Sequence, residues 1–213
     1  MEFLPKEIDD YSTAHTSPES EVLQKLNRET WAKVMMPRML SGHLQGAILK
    51  MFSHMIRPKK ILEIGTYTGY SAICLADGLA DGGVLHTIDV NDELEHIVRT
   101  YIAEAGMSEK IIFHLGKAAN LIPGIEGPFD LVFIDADKEN YLNYYQMVID
   151  QVRSGGFIIA DNVLWSGKVI REAKQNDVET KALQAYNDFI HADHRVENVL
   201  LPVRDGLMIA RKK

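Results

Sequence analysis

Two apolar runs in this chain end in acid. The first is Phe129-Asp-Leu-Val-Phe-Ile-Asp135-Ala-Asp137-Lys138, and the second is Gly155-Gly-Phe-Ile-Ile-Ala-Asp161-Asn162. Each has the β-branched, continuously apolar character of a strand buried on both faces, and each turns polar where the strand should stop. In an open α/β sheet, ligands bind in the crevice beyond the carboxyl ends of the strands. Asp135, Asp161 and Asn162 delivered there make an all-oxygen set suited to a hard divalent cation, Mg²⁺ foremost, with Ca²⁺ or Mn²⁺ as alternatives. Lys138, three residues after Asp135, adds a proton acceptor or charge partner. One such acid is ordinarily a loop or helix cap. Two at neighbouring strand ends, with Asn162 and Lys138, outweigh that reading.

A second constellation lies upstream, in Glu63-Ile-Gly65-Thr-Tyr-Thr-Gly69-Tyr-Ser71. Glycines let a backbone approach a ligand closely, and a following helix presents free amides. The spacing lacks both the G-x-G-x-x-G of a dinucleotide site and the G-K-[ST] of a phosphate loop, which speaks against a nicotinamide dehydrogenase. Glu63 would repel a pyrophosphate and suit a cationic or hydroxyl-rich ligand. Asp89 ends the next strand, where an acid accepts hydrogen bonds from a ribose. Together these favour an adenosyl ligand without phosphate. S-adenosylmethionine, with its sulfonium, ammonium, carboxylate and ribose diol, has that chemistry.

These residues need an alternating scaffold to position them. A helix is predicted from a Ser17 cap with Pro18 at its first position, ending near Pro37, with Val22, Leu23, Leu26 and Trp31 as its apolar stripe. Residues before Pro18 read as irregular. A second helix is predicted from about Ser41 to Met55 through Leu44, Ile48, Met51 and Phe52. Strands follow at 60–65, 84–89, 111–115, up to Asp135 and up to Asp161, with helices at 71–79, 92–105, 139–152 and 178–192. Two last strands, at 196–203 and 207–211, join through Arg204-Asp205-Gly206 as a hairpin turn. The alternation predicts an α/β fold with a mostly parallel sheet, helices on both faces and one antiparallel C-terminal strand. One domain, 1–213, is expected, with 1–56 as a helical extension covering the site.

Composition narrows the class. The 213 residues are 46% hydrophobic and 25% charged, ordinary values for a globular domain. No apolar run approaches the ~20 residues of a membrane span, and the N-terminus lacks the pattern of a signal peptide. The single cysteine, Cys74, makes a reducing cytoplasm the expected location. A net charge of −7 disfavours a nucleic-acid partner without excluding a local patch for a folded RNA. Cys74 reads as core, Met35, Met36 and Met39 as helix packing or, less commonly, a flexible lid over the cofactor, and His191-x-x-His194 as a solvated face.

Four segments carry a family resemblance: Leu62-Glu-Ile-Gly-Thr-Tyr-Thr-Gly-Tyr-Ser71, Ile134-Asp-Ala-Asp-Lys138, Asn140-Tyr-Leu-Asn-Tyr144 and Ala160-Asp-Asn-Val-Leu-Trp-Ser-Gly167. In order and spacing the chain resembles the small, cation-dependent, S-adenosylmethionine-using O-methyltransferases related to catechol and caffeoyl-CoA O-methyltransferases, in their bacterial form. The resemblance implies a Rossmann-like methyltransferase fold with a seven-stranded sheet. It implies a metal at Asp135, Asp161 and Asn162; beside such a metal, the chemistry of the residues themselves gives Lys138 and Asp135 catalytic roles. It implies a cofactor lined by Pro37, Glu63, Gly65, Thr66, Ser71, Asp89, Ala118, Asp135, Asp137 and Tyr144. The implied acceptor is a small phenolic, catechol-like or other vicinal dihydroxy compound, with a hydroxylated tRNA base as the alternative, and the implied assembly is a homodimer. The chain departs from the pattern before Pro18. It also departs at Ser166, where plant relatives resemble one another in having asparagine, and this speaks against a coenzyme-A thioester acceptor.

Overall fold

The computed structural model describes residues 5–213. Its sheet has seven strands in the order β3-β2-β1-β4-β5-β7-β6. These are β1 (Lys60–Ile64), β2 (Val84–Asp89), β3 (Ile111–Leu115), β4 (Phe129–Ile134), β5 (Val152–Asp161), β6 (Val196–Leu201) and β7 (Leu207–Lys212). The first five in that order pair in parallel, and β7 runs antiparallel to both β5 and β6. This is the expected Rossmann-like architecture.

Helices cover both faces. On one lie α2 (Glu21–Lys33), α3 (Gly42–Ile56), α4 (Tyr70–Asp77) and α5 (Glu95–Glu104), packed through Leu26, Leu49, Leu75 and Val98 onto Ile61, Leu85 and Phe133. On the other lie α6 (Ala118–Leu121), α7 (Tyr141–Val148) and α8 (Val178–Ala192), packed through Tyr145, Leu183 and Tyr186 with Leu62, Val132 and Ile158. Strand residues alternate between these two cores, as the period of two requires. No helix among the described residues is long and apolar enough to cross a membrane.

The N-terminal region differs from its sequence reading. A helix, α1 (Lys6–Ala14), occupies part of the stretch expected to be irregular, and residues 1–4 of that stretch lie outside the described part. Ser20, not Ser17, caps α2: its hydroxyl accepts from the Leu23 amide. Helix α2 stops at Lys33, and Pro37–Met39 form a separate single turn. Trp31 points to solvent, while Thr30, one residue earlier, is buried and bonded to Thr68. The stripe expected on α3 holds in part, since Ile48 and Phe52 are half-buried against the core. Its buried face is Gln45, Gly46, Leu49 and Ser53, and Met51 is exposed. Hydrophobicity alone misreads this helix because two of its inward side chains are polar with partners. Ser53 donates to the Leu75 carbonyl, and a side chain at Gly46 would collide with Tyr70 and Cys74 of α4. Met35, Met36 and Met39 are exposed, Met35 at 93%, so they do not pack inside the protein as expected.

Two loops meet where the strand order reverses, between β1 and β4. The Asp135 amide donates to the Ile64 carbonyl, and Gly65 sits against the Asp135 carbonyl so closely that a Cβ there would lie 1.9 Å from that oxygen. Gly65 has φ +103°, open to glycine and costly for other residues. The register then sets the rest. Ile134 pairs with Ala160, so Asp135 and Asp161 leave neighbouring strands at the same level. That switch point is where ligands bind in open α/β sheets.

Candidate active site

Asp135, Lys138, Asp161 and Asn162 come together at the ends of β4 and β5. Lys138 Nζ donates to Asp135 Oδ1 at 3.1 Å, to Asn162 Oδ1 at 3.0 Å and to the Tyr141 hydroxyl at 2.6 Å. Lys138 is only 7% exposed, which replaces the alternative of a surface lysine at a helix start. Tyr141 donates in turn to the Asp161 backbone carbonyl, and its own ionisation is pushed far up by burial. Asp161 is 3% exposed, and its Oδ1 accepts from the Asn162 amide at 2.7 Å. Its proton affinity is raised by burial first and by the Asp135 charge second. Two carboxylates crowded in low dielectric favour a nearby positive charge.

The loop carrying Asn162 is strained. Asn162, Trp165 and Ser166 have φ of 60°, 48° and 54°, in the left-handed region, and Gly167 follows at 75°. Such conformations cost roughly 1–3 kcal/mol each outside glycine and gather at ligand sites. They turn the Asn162 amide back toward Lys138 and set the Trp165 ring near two ammonium groups. Lys138 Nζ lies 5.7 Å from that ring's centroid and Lys168 Nζ 5.5 Å. The indole Nε1 is buried with no protein partner.

The residues suit a divalent cation in chemistry. All donors are oxygens, the site is largely closed to solvent, and the only ammonium among them is that of Lys138. No cluster of three or more His, Cys, Asp or Glu side chains in a metal-holding arrangement is found among the described residues, so the candidate set rests on two carboxylates and one amide.

The glycine-loop residues form a second, adjoining group. Glu63 is fully buried and accepts from Thr87 Oγ1 at 2.5 Å. Burial pushes its carboxyl up to about 8, with the charges of Asp135 and Asp89 adding to the rise. Glu63 Oε1 has no protein partner, an orphaned acceptor in a patch of negative charge that suits a cationic ligand. Thr66 shares a short hydroxyl contact with Thr87. Asp89 takes the amides of Tyr67 and Asn91, which ties the end of β2 to the loop after β1. Ala118 opens α6 two residues after Gly116, whose amide donates to the Asp89 carbonyl. Asp137 and Tyr144 form a pair: the tyrosine hydroxyl donates to Asp137 Oδ1 at 2.6 Å. Pro37 lies in the segment before α3, which Tyr67 holds by donating to the Met36 carbonyl. A small cavity runs beneath that segment, lined by Leu40, Ser41, Gly65, Thr66, Ser71 and Asp135.

Sequence reasoning missed Gln45, Thr87, Tyr141 and Arg204. Tyr141 stood inside the segment Asn140–Tyr144 without a role. Gln45 carried one usable sign, an amide in phase with Leu49 on a buried helix face. The expected solvated pair does stand in water: His191 and His194 are exposed.

A seven-stranded Rossmann-like sheet, with a glycine loop, an acid after β2 and acids after β4 and β5, defines the class of α/β methyltransferases. The O-methyltransferase family model matches residues 12–213. Caffeoyl-CoA O-methyltransferase from Petroselinum crispum is 37% identical over 207 residues, covering 91% of this chain and 85% of the relative. The O-methyltransferase from Bacillus cereus, solved in complex with SAH, superposes with TM-score 0.90 at 30% identity over 97% of both chains. TomG from Streptomyces achromogenes, solved with SAM, gives TM-score 0.90 at 26% identity, covering 97% of this chain and 96% of its own. The chain belongs to the O-methyltransferase family and is an S-adenosylmethionine-dependent O-methyltransferase.

Proposed function

We propose that this enzyme methylates one hydroxyl of a small catechol-like or other vicinal dihydroxy acceptor, assisted by a divalent cation at Asp135, Asp161 and Asn162. The observation carrying this reading is the meeting of Asp135 and Asn162 on the Lys138 ammonium, beside the Gly65 loop, with the buried Asp161 carboxylate next to them accepting from the Asn162 backbone amide. The donor supplies an electrophilic methyl group on a sulfonium, and the cation, Mg²⁺ first among the hard ions, supplies charge that favours an ionised acceptor oxygen. Glu63, Thr66, Ser71 and Asp89 bind the donor's polar groups, with Gly65 allowing close approach. Pro37, Ala118, Asp137 and Tyr144 complete its surroundings.

The chain's own groups then handle the proton and the geometry. Lys138 takes the proton from the attacking hydroxyl, and Tyr141 fixes its Nζ. Trp165 forms an aromatic wall beside Lys138. The close juxtaposition of the Gly65 and Asp135 loops holds donor and acceptor side by side, and positioning of this kind supplies up to ~7–11 kcal/mol of a barrier in well-oriented systems.

We assign the enzyme to a reducing, cytoplasmic setting on the single free, buried Cys74. We assign it a homodimeric state through its N-terminal helices, where Trp31, Met51 and Met55 are exposed. The test of the acceptor is a methylation screen of ortho- against meta-dihydroxyphenols, with hydroxylated and unmodified RNA as further arms. Turnover confined to ortho-diols supports the reading; equal rates on the meta isomers, or turnover on RNA alone, would refute it.

A further inference from the structure

The Asp161 carboxylate is held by residues far from its own motif. Gln45, on α3 and 2% exposed, donates through Nε2 to Asp161 Oδ2 at 2.6 Å. Its Oε1 accepts from Arg204 Nη1 at 2.5 Å, and the same guanidinium nitrogen reaches the Ser41 carbonyl. A guanidinium carries donors only, so it can meet only the carbonyl end of the Gln45 amide. That contact fixes which way the amide faces and leaves its NH₂ for Asp161. With Oδ1 taken by the Asn162 amide, each Asp161 oxygen holds one protein donor and keeps a lone pair free.

Arg204 sits in the turn between β6 and β7 with φ 50°. Glycine would hold that conformation without strain, and strained non-glycine residues persist where the surroundings fix them. Its neighbour Asp205 ties the same turn to the Asn162 loop by accepting from the Ser166 amide at 2.5 Å. Thus α3 reaches the Asp161 carboxylate directly, and the turn between β6 and β7 braces both α3 and the Asn162 loop around it.

We propose that Gln45 and Arg204 are positioning residues, a two-part strut that orients Asp161 to receive a cation. This rests on the reading of Asp135, Asp161 and Asn162 as the cation site. Removing the Gln45 amide frees the carboxylate to rotate and leaves it beside Asp135 without its side-chain donor. Removing the Arg204 guanidinium frees the amide to flip, presenting a carbonyl to a carboxylate.

Mn²⁺ is the probe, with free ion measured by electron paramagnetic resonance on the full-length wild type, Gln45→Met, Arg204→Gly and Arg204→Lys. Partners in this position are worth about 10–100-fold in metal affinity. Gln45→Met should weaken Mn²⁺ binding by that factor, keep S-adenosylmethionine affinity within about threefold, and recover turnover at saturating metal. Arg204→Gly relieves the left-handed backbone, so its melting temperature should not fall while Mn²⁺ binding weakens about tenfold. Arg204→Lys, which keeps one donor, should recover part of that loss. Wild-type affinity in both Gln45→Met and Arg204→Gly would overturn the strut and leave the cation site standing. A wild type that binds no Mn²⁺ at millimolar concentration would overturn both.

Discussion

Glu63→Gln should change how stability depends on pH. Glu63 is fully buried, one of its oxygens has no partner, and burial lifts its carboxyl from 4.5 to about 8. At 1.36 kcal/mol per unit, that rise corresponds to roughly 5 kcal/mol between the acid and alkaline limits. In the unfolded chain the group loses its proton near 4.5, while in the folded protein it keeps it until about 8. Unfolding therefore releases a proton in that window, and stability falls as pH rises. The contribution is complete below 4.5 and lost above about 8. Glutamine has the same shape and never titrates, so the variant lacks this slope. For a chain of this length, 1 kcal/mol moves the melting temperature by about 2–4 °C. Going from pH 5 to pH 8, the variant should gain roughly 10 °C on the wild type, measured by thermal unfolding without donor or metal. Other titrating groups are common to both proteins and cancel in the comparison. Parallel melting curves across that range would refute the buried, protonated Glu63.

Gly65→Ala should destabilise the fold by roughly 2–4 kcal/mol and abolish methyl transfer, because its Cβ would meet the Asp135 carbonyl in a backbone conformation reserved for glycine; urea unfolding and turnover check this, and near wild-type values for both would contradict it. Lys138→Ala should lower turnover most at neutral pH, and an unchanged pH–rate profile would remove it as the base. Asp193→Asn should cost roughly 1–3 kcal/mol at pH 7, since Asp193 Oδ2 accepts from Arg195 at 2.7 Å and from the Tyr145 hydroxyl at 2.9 Å. Arg195 holds the Asp193 carboxyl well below the usual range, so this stabilisation is present above about pH 4 and is lost as pH falls further. Urea unfolding at pH 7 and pH 3 checks it; a gap that does not narrow in acid would count against the ion pair.

The sheet and the heart of the site were legible in the sequence because the evidence for them is local. A buried parallel strand reads as a continuous apolar run, and the polar residue that ends it marks the ligand edge; Asp135, Asp161 and Asp89 all stand at such ends. The N-terminal third was harder to read because its inward positions are decided by partners distant in sequence. Gln45 is buried because Asp161, 116 residues away, and Arg204, 159 residues away, take its amide. Thr30 faces inward because Thr68 bonds it, while the larger Trp31 faces out. Arg204 read as a turn residue and gave no hint that its guanidinium reaches back across the site. Such residues are legible only once the chain is folded.

The central claim is that methyl transfer depends on a cation held by Asp135, Asp161 and Asn162. The most direct measurement is methylation of an ortho-dihydroxyphenol, with donor binding followed separately, in chelator and then with Mg²⁺ added back, for the wild type and Asp161→Ala. Chelator should stop the wild type, Mg²⁺ should restore it, and Asp161→Ala should bind donor yet stay silent at every Mg²⁺ concentration. Full wild-type turnover in chelator, or an Asp161→Ala enzyme that responds to Mg²⁺ as the wild type does, would contradict it.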